Sequence, residues 1–159
     1  MFIFYGMSQI LFAICTETGK CGMLIAQWEA NAMKLLMHIC CAPCANMPID
    51  ALRADGIDLT GYWYNPNIHP FTEYRARRNC LQEYAKTIEL PLLMRDDYGL
   101  RPFVREVADD IAGRCVKCYE MRLFEAARAA KEGGFDAFTS SLFISPYQKH
   151  ELMRDVAYR

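Results

Sequence analysis

The chain has 159 residues, of which 53% are hydrophobic and 23% charged, and its formal net charge is −1. This length and composition describe a single folded domain with room for a sizeable core, and they exclude a disordered chain. The near-zero charge excludes capture of nucleic acid by a strong overall field, so such a partner would need a local basic patch to meet its phosphates.

Residues 1–32 read as foreign to the rest of the chain. Met1 to Tyr5 and Ile10 to Ile14 are apolar, but no Lys or Arg precedes them and no small-residue cleavage site stands out. The stretch is too short and too interrupted for a membrane span. Met33, with a strand pattern directly after it, is the expected natural start, which makes 1–32 a non-native or miscalled extension. Cys15 and Cys21 lie in it and receive no role.

From Met33 onward, strand and helix patterns alternate. Lys34 to Ile39 is a short apolar strand that ends at the cysteine run Cys40-Cys41-Ala42-Pro43-Cys44. Pro48 to Ala54 has helical spacing, with Asn46 as N-cap and Gly56 as stop. Leu59 to Tyr64 is aromatic and β-prone, and closes at the turn Asn65-Pro66-Asn67. Thr72 to Ile88 is a long amphipathic helix with Tyr74, Leu81, Tyr84 and Ala85 on its apolar side.

Leu90 to Met94 is the next strand. Pro102 to Ile111 and Val116 to Lys131 read as helices, the second closed by Gly133-Gly134. Ala137 to Ser140 is a fourth strand, and Tyr147 to Ala157 a last helix. Repeated β-then-α units predict an α/β fold: three α/β/α layers around a parallel, Rossmann-like sheet. Ligands of such sheets gather at the carboxyl ends of the strands. Cys40, Cys41 and Cys44 after the first strand, Asn65 to His69 after the second and Ser140 to Ser145 after the fourth should therefore meet on one rim.

Eight cysteines in a secreted chain would suggest disulfides. Here they cluster at CC and CxxC spacings in a core-bearing chain, which points to metal or redox chemistry. Cys115 and Cys118 share a face if helical, and in a first turn the exposed N–H groups would stabilise bound thiolates. Adjacent Cys40 and Cys41 can serve one cluster only from an irregular loop, since strand side chains alternate, and Pro43 favours such a loop. A lone CxxC fits a thiol–disulfide couple or half a zinc site equally well. Together, the groups have enough sulfur for an iron–sulfur cluster. Cys80, alone on a helix, reads as a packing residue against apolar neighbours.

Four stretches carry a resemblance: His38-Ile-Cys-Cys-Ala-Pro-Cys44; Tyr64-Asn-Pro-Asn-Ile-His-Pro70 with Glu73-Tyr74-Arg75; Gly113-Arg-Cys-Val-Lys-Cys-Tyr119 with Met121-Arg122-Leu123; and Ser140-Ser-Leu-Phe-Ile-Ser-Pro-Tyr-Gln148. In this order the chain resembles the cobalamin-independent epoxyqueuosine reductases, the QueH type. The resemblance implies an adenine-nucleotide-hydrolase-like fold over 33–159 and a 4Fe–4S cluster on Cys40, Cys41, Cys115 and Cys118. It implies a second metal, taken as iron, with Cys44 helping to hold it. The implied reaction removes the epoxide oxygen from epoxyqueuosine at the tRNA wobble position, in the cytoplasm, with electrons from an external donor. Family members continue beyond the position of Arg159 to a Cys-Gly-Cys, so the chain is expected to lack a C-terminal part.

Around such a site His69 is the candidate general acid, because an imidazole titrates near working pH. Loop ordering is the competing reading, and His38 reads as a satisfied core histidine. Tyr64, Asn65, Asn67, Tyr119 and Tyr147 are candidates to contact the modified base. Arg75, in a run with Arg77 and Arg78, is a candidate phosphate contact, and Arg114 and Lys117 would offset cluster charge.

Two rivals stand beside this reading. A tRNA sulfur-transferase of the ATP-pyrophosphatase type would need a glycine-rich phosphate loop where Cys-Cys-Ala-Pro-Cys stands. A non-catalytic zinc module would use the same four thiols as structural ligands.

Overall fold

The computed structural model describes residues 13–14 and 33–159. Four parallel strands form the sheet: β2 (Lys34–His38), β3 (Asp58–Trp63), β4 (Leu92–Met94) and β5 (Ala137–Ser140). A two-residue strand, β1 (Ala13–Ile14), adds to β5 antiparallel, giving the order β1-β5-β2-β3-β4. Helices α1 (Ala42–Ala54), α2 (Phe71–Thr87), α3 (Leu100–Val107), α4 (Arg114–Glu132) and α5 (His150–Ala157) connect and cover it.

Strand alternation sorts the core into two faces. Leu35 and Met37 of β2 and Ile39 just beyond it, with Leu59 and Trp63 of β3, pack under Ala45, Ile49 and Leu52 of α1 and Leu81 and Ala85 of α2. The intervening Leu36, with Tyr62 and Phe138, packs on the opposite face under Ala126 and Ala130 of α4. The result is the expected three-layer, Rossmann-like α/β/α sandwich. Among the described residues no helix is long and apolar enough to cross a membrane.

The strand order fixes where a site can form. From β2 the chain moves one way to β3 and β4, then returns to place β5 on the other side of β2. The connections after β2 and β5 therefore diverge and open a crevice at their carboxyl ends, where open α/β sheets bind ligands. The Cys40–Cys44 run and the Ser140-Ser141 pair both lie there.

Two expectations are corrected. The first helix begins at Ala42, not Pro48, so Cys44 lies in its first turn, while Cys40 and Cys41 stand in the irregular connection expected of them. Pro43 occupies the first turn, where its missing N–H and fixed φ are compatible with a helix, and Pro48 lies inside. Cys80 is exposed rather than packed. The buried stripe of α2 runs through Tyr74, Leu81 and Ala85, and one residue's step from Leu81 turns Cys80 away by about 100°.

Candidate metal centre

Each sulfur group sits at the start of a helix. Cys41 is the N-cap of α1, in extended conformation (φ −169°, ψ 158°), and Cys44 stands in the first turn. Cys115 and Cys118 open α4 behind Gly113. Neither N-terminus is capped by a side chain, so free N–H groups and the positive end of both helix dipoles favour thiolates or an anionic ligand. Together these starts create an electropositive, sulfur-bearing rim.

Cys40, Cys41 and Cys44 have their sulfurs within 4.8 Å of one another. Cys41 Sγ lies 2.8 Å from Cys44 Sγ and 3.8 Å from Cys40 Sγ, and all three are free thiols. Such a group could hold a metal ion, since thiolates are soft ligands that need little more than convergence. Hydrogen bonds from Cys41 and Cys44 hold the Cys40 thiol well below its ordinary range, against the opposing effect of burial. The Cys41 and Cys44 thiols are pushed up, first by their hydrogen bonds to Cys40 and then by burial. Metal binding to such a trio displaces the remaining thiol protons, because thiolates are the ligating form.

A cavity of about 530 Å³ lies against this trio, and Cys40, Cys44, Cys115 and Cys118 all line it. Ser141 supports Cys40 twice: its Oγ accepts from the Cys40 N–H at 3.1 Å and lies 3.4 Å from the Cys40 sulfur. Arg77, Arg114 and Arg122 also reach the wall. The residues present fit a thiolate-bound cluster or ion: several convergent thiols, two helix N-termini and buried positive charge.

Beneath the site, His38 is fully buried. Its Nε2 lies 3.0 Å from the Tyr64 carbonyl, which can only accept, so Nε2 carries the hydrogen and Nδ1 accepts from Ser140 Oγ at 2.8 Å. Burial, followed by the charge of Arg122, lowers its pKa to about 4. It is a satisfied, neutral core histidine.

The remaining candidates separate into those at the cavity and those elsewhere. Asn67 lines it and donates from Nδ2 to Cys118 Sγ at 3.3 Å. Tyr119 lines it and donates its hydroxyl to Gln148 Oε1 at 2.8 Å. Asn65 is wholly buried and donates to the Ile39 carbonyl at 2.9 Å, bracing the turn rather than lining the space. Tyr64 is buried with the Arg95 guanidinium 4.7 Å above its ring, and Tyr147 is 94% exposed, on the outer surface.

Arg75 is exposed and lies over the Phe71 ring at 5.9 Å, while its neighbour Arg77 faces the cavity. His69 is packed against Tyr98 and Phe103, with Nδ1 3.3 Å from the Tyr98 hydroxyl. Burial lowers its pKa, and its Nε2 is buried without a partner. Lys117 pairs with Glu106 and Glu120 at 3.6 Å. Arg122, Ser141 and Gln148 carried no role in the sequence reading. Helical spacing alone signals Arg122, one turn beyond Cys118 on the same face.

A parallel sheet with a thiol-lined cavity at its switch point defines a Rossmann-like protein with three thiols that could hold a metal ion. Comparison with known proteins gives the family. The model described as "Epoxyqueuosine reductase QueH" matches residues 35–159. The epoxyqueuosine reductase QueH of Dehalococcoides mccartyi is 38% identical over 120 residues, covering 76% of this chain and 66% of that protein. Those of Histophilus somni (38% over 130 residues, 79% and 54%) and Staphylococcus aureus (35% over 153 residues, 84% and 61%) are similar. The chain belongs to the epoxyqueuosine reductase QueH family, whose members are named as oxidoreductases. It spans between half and two thirds of the length of these relatives.

Proposed function

We propose that this chain forms the reducing site of an epoxyqueuosine reductase, which converts epoxyqueuosine to queuosine at the wobble position of tRNA by removing the epoxide oxygen. The observation that carries the reading is the convergence of Cys40, Cys44, Cys115 and Cys118 on one cavity at the sheet's switch point, with Cys41 against the first two. In this reading Cys40, Cys41, Cys115 and Cys118 hold a 4Fe–4S cluster, and Cys44 helps to hold an adjacent iron. The bound metals would relay electrons one at a time from an external donor and polarise the epoxide C–O bond.

The chain's own residues have defined tasks. Ser141 steadies Cys40 through two contacts. Asn67, Tyr119 and Gln148 offer polar groups to the nucleoside, and Tyr119, its pKa raised mainly by burial, stays a protonated donor at neutral pH. Arg77 and Arg114 offer positive charge to the flanking phosphates, and the exposed Tyr147 and Arg75 offer contacts further out on the tRNA. His69 lies behind the turn, and its contacts favour loop ordering over proton donation. A tRNA-modifying role fits the cytoplasm.

Three thiols within 4.8 Å also suit one structural zinc ion, which keeps the zinc module as the second reading. The sulfur-transferase reading is weaker, because Cys41-Ala42-Pro43-Cys44 opens α1 where a glycine-rich phosphate loop would be needed. The test is anaerobic incubation of the iron-loaded chain with epoxyqueuosine-containing tRNA and dithionite, and then nucleoside analysis. Queuosine formation that is lost in Cys44→Ala supports the reductase; unchanged epoxyqueuosine in the presence of an intact cluster counts against it.

A further inference from the structure

Arg122 is 5% exposed, and its only hydrogen-bond partners among the described residues belong to Cys118: Nη2 lies 2.7 Å from Sγ, and Nε lies 3.4 Å from the carbonyl. A buried guanidinium normally faces a carboxylate, because an unpaired cation in the interior is strongly disfavoured. Among the described residues no carboxylate meets this one. It contacts the sulfur of Cys118, and Cys40, Cys44 and Cys115 line the same cavity. The charge of Arg122 is therefore complete only when the cavity holds a negative group.

A second donor reaches the same atom from another part of the fold. Asn67, in the turn after β3, donates to Cys118 Sγ at 3.3 Å, while its own Oδ1 is buried without a partner. No described hydrogen bond reaches Cys115 Sγ. Two N–H donors, one charged and one neutral, thus converge on one sulfur of a pair that is otherwise alike.

We propose that Arg122 and Asn67 are positioning residues that raise the reduction potential of the metal centre by donating to Cys118 Sγ. The inference rests on the reading of the cavity as a cluster site. Hydrogen bonds to a ligating sulfur withdraw electron density and stabilise the more electron-rich state. The step concerned is the entry of one electron from a low-potential reductant into the oxidised centre. No bond is made or broken, and Arg122 keeps its proton throughout.

The test is anaerobic redox titration with dithionite and mediators, read by electron paramagnetic resonance, on wild type, Arg122→Met, Arg122→Lys and Asn67→Leu. Arg122→Met should shift the oxidised-to-reduced ratio at fixed potential about tenfold toward oxidised, a midpoint about 59 mV more negative. Arg122→Lys should recover part of the shift, and Asn67→Leu should move it about threefold in the same direction. Iron and sulfide per chain should match wild type. If Arg122→Met does not fold, Asn67→Leu alone decides the matter. Midpoints equal to wild type in variants with intact clusters would overturn this inference and leave the cluster reading standing. A wild-type chain that takes up zinc but no cluster would overturn both.

Discussion

His38 Nδ1 and Ser140 Oγ lie 2.8 Å apart across 102 residues of sequence, joining the carboxyl ends of β2 and β5 at the point where the chain reverses its winding. Cys40 stands two residues beyond one partner and Ser141 one residue beyond the other, so this bond sets the floor on which the first thiol rests. The Ser140 hydroxyl donates to the imidazole while its oxygen accepts from the Leu142 N–H at 3.2 Å. Both partners are buried, and neither has water to fall back on.

Ser140→Ala should therefore cost about 1–3 kcal/mol, because it leaves the His38 acceptor and the Leu142 N–H without partners. Urea unfolding of the metal-free chain measures this as a lowered midpoint at unchanged slope. A midpoint equal to wild type would show that the bond adds nothing.

Gly99 tests how the turn that carries Asn67 is held. A Cβ at this position would lie 2.4 Å from Pro66 Cβ and 3.2 Å from Pro66 Cα, and a proline ring cannot rotate away. Gly99→Ala should cost about 1–3 kcal/mol and push the Asn65-Pro66-Asn67 turn off Cys118. Thermal unfolding should show the loss, and a wild-type melting temperature would contradict the close approach.

Much of this was legible in the sequence. The apolar run Leu35-Leu36-Met37 and the aromatic, β-prone stretch Leu59 to Tyr64 located the first two parallel strands, and Ala137–Ser140 has the bounds expected of it. The strand ends then gave the rim. The start of α1 was not legible, because proline breaks a helix in its interior and favours one in its first turn, and sequence alone does not separate the two. The 3-10 turn Ser141–Ile144 was hidden because Ser-Leu-Phe-Ile carries no period. Within the Arg75–Arg78 run, composition marks a basic face, but only the helix's orientation over the sheet shows that Arg77 meets the cavity. Arg122 stood in a motif without a role, since burial of an arginine has no local signature.

Glu125 supplies a pH-dependent part of the stability. Its carboxylate accepts from the Tyr62 hydroxyl at 3.1 Å and pairs with Arg128 at 2.7 Å and with Arg95. Burial works to raise its pKa, but Arg128, Arg95 and Tyr62 outweigh it, and the net shift is downward. A folded pKa below the unfolded one means that the contribution is present above the unfolded value, about 4.3, and is lost as pH falls through the folded one. Glu125→Gln should cost about 1 kcal/mol at pH 7, kept small by the exposure of both arginines. The gap between variant and wild type should close toward pH 3, and a gap independent of pH would contradict the assignment.

The trio of thiols can be tested with a spectroscopic ion. Cobalt(II) added anaerobically to the metal-free chain should give intense thiolate-to-metal charge-transfer absorption, since all three sulfurs lie within 4.8 Å. Cys41→Ala and Cys44→Ala should each weaken binding at least about tenfold. Unchanged titration curves would mean that the ion binds elsewhere.

The central claim is that thiols from two distant segments grip one metal group, and the most direct measurement is iron and acid-labile sulfide per chain after anaerobic purification. Wild type should hold near-equal amounts of both, about four of each for one cube plus any adjacent iron, and Cys115→Ala and Cys40→Ala should each lose most of them. A Cys115→Ala variant that keeps the full complement would contradict the account.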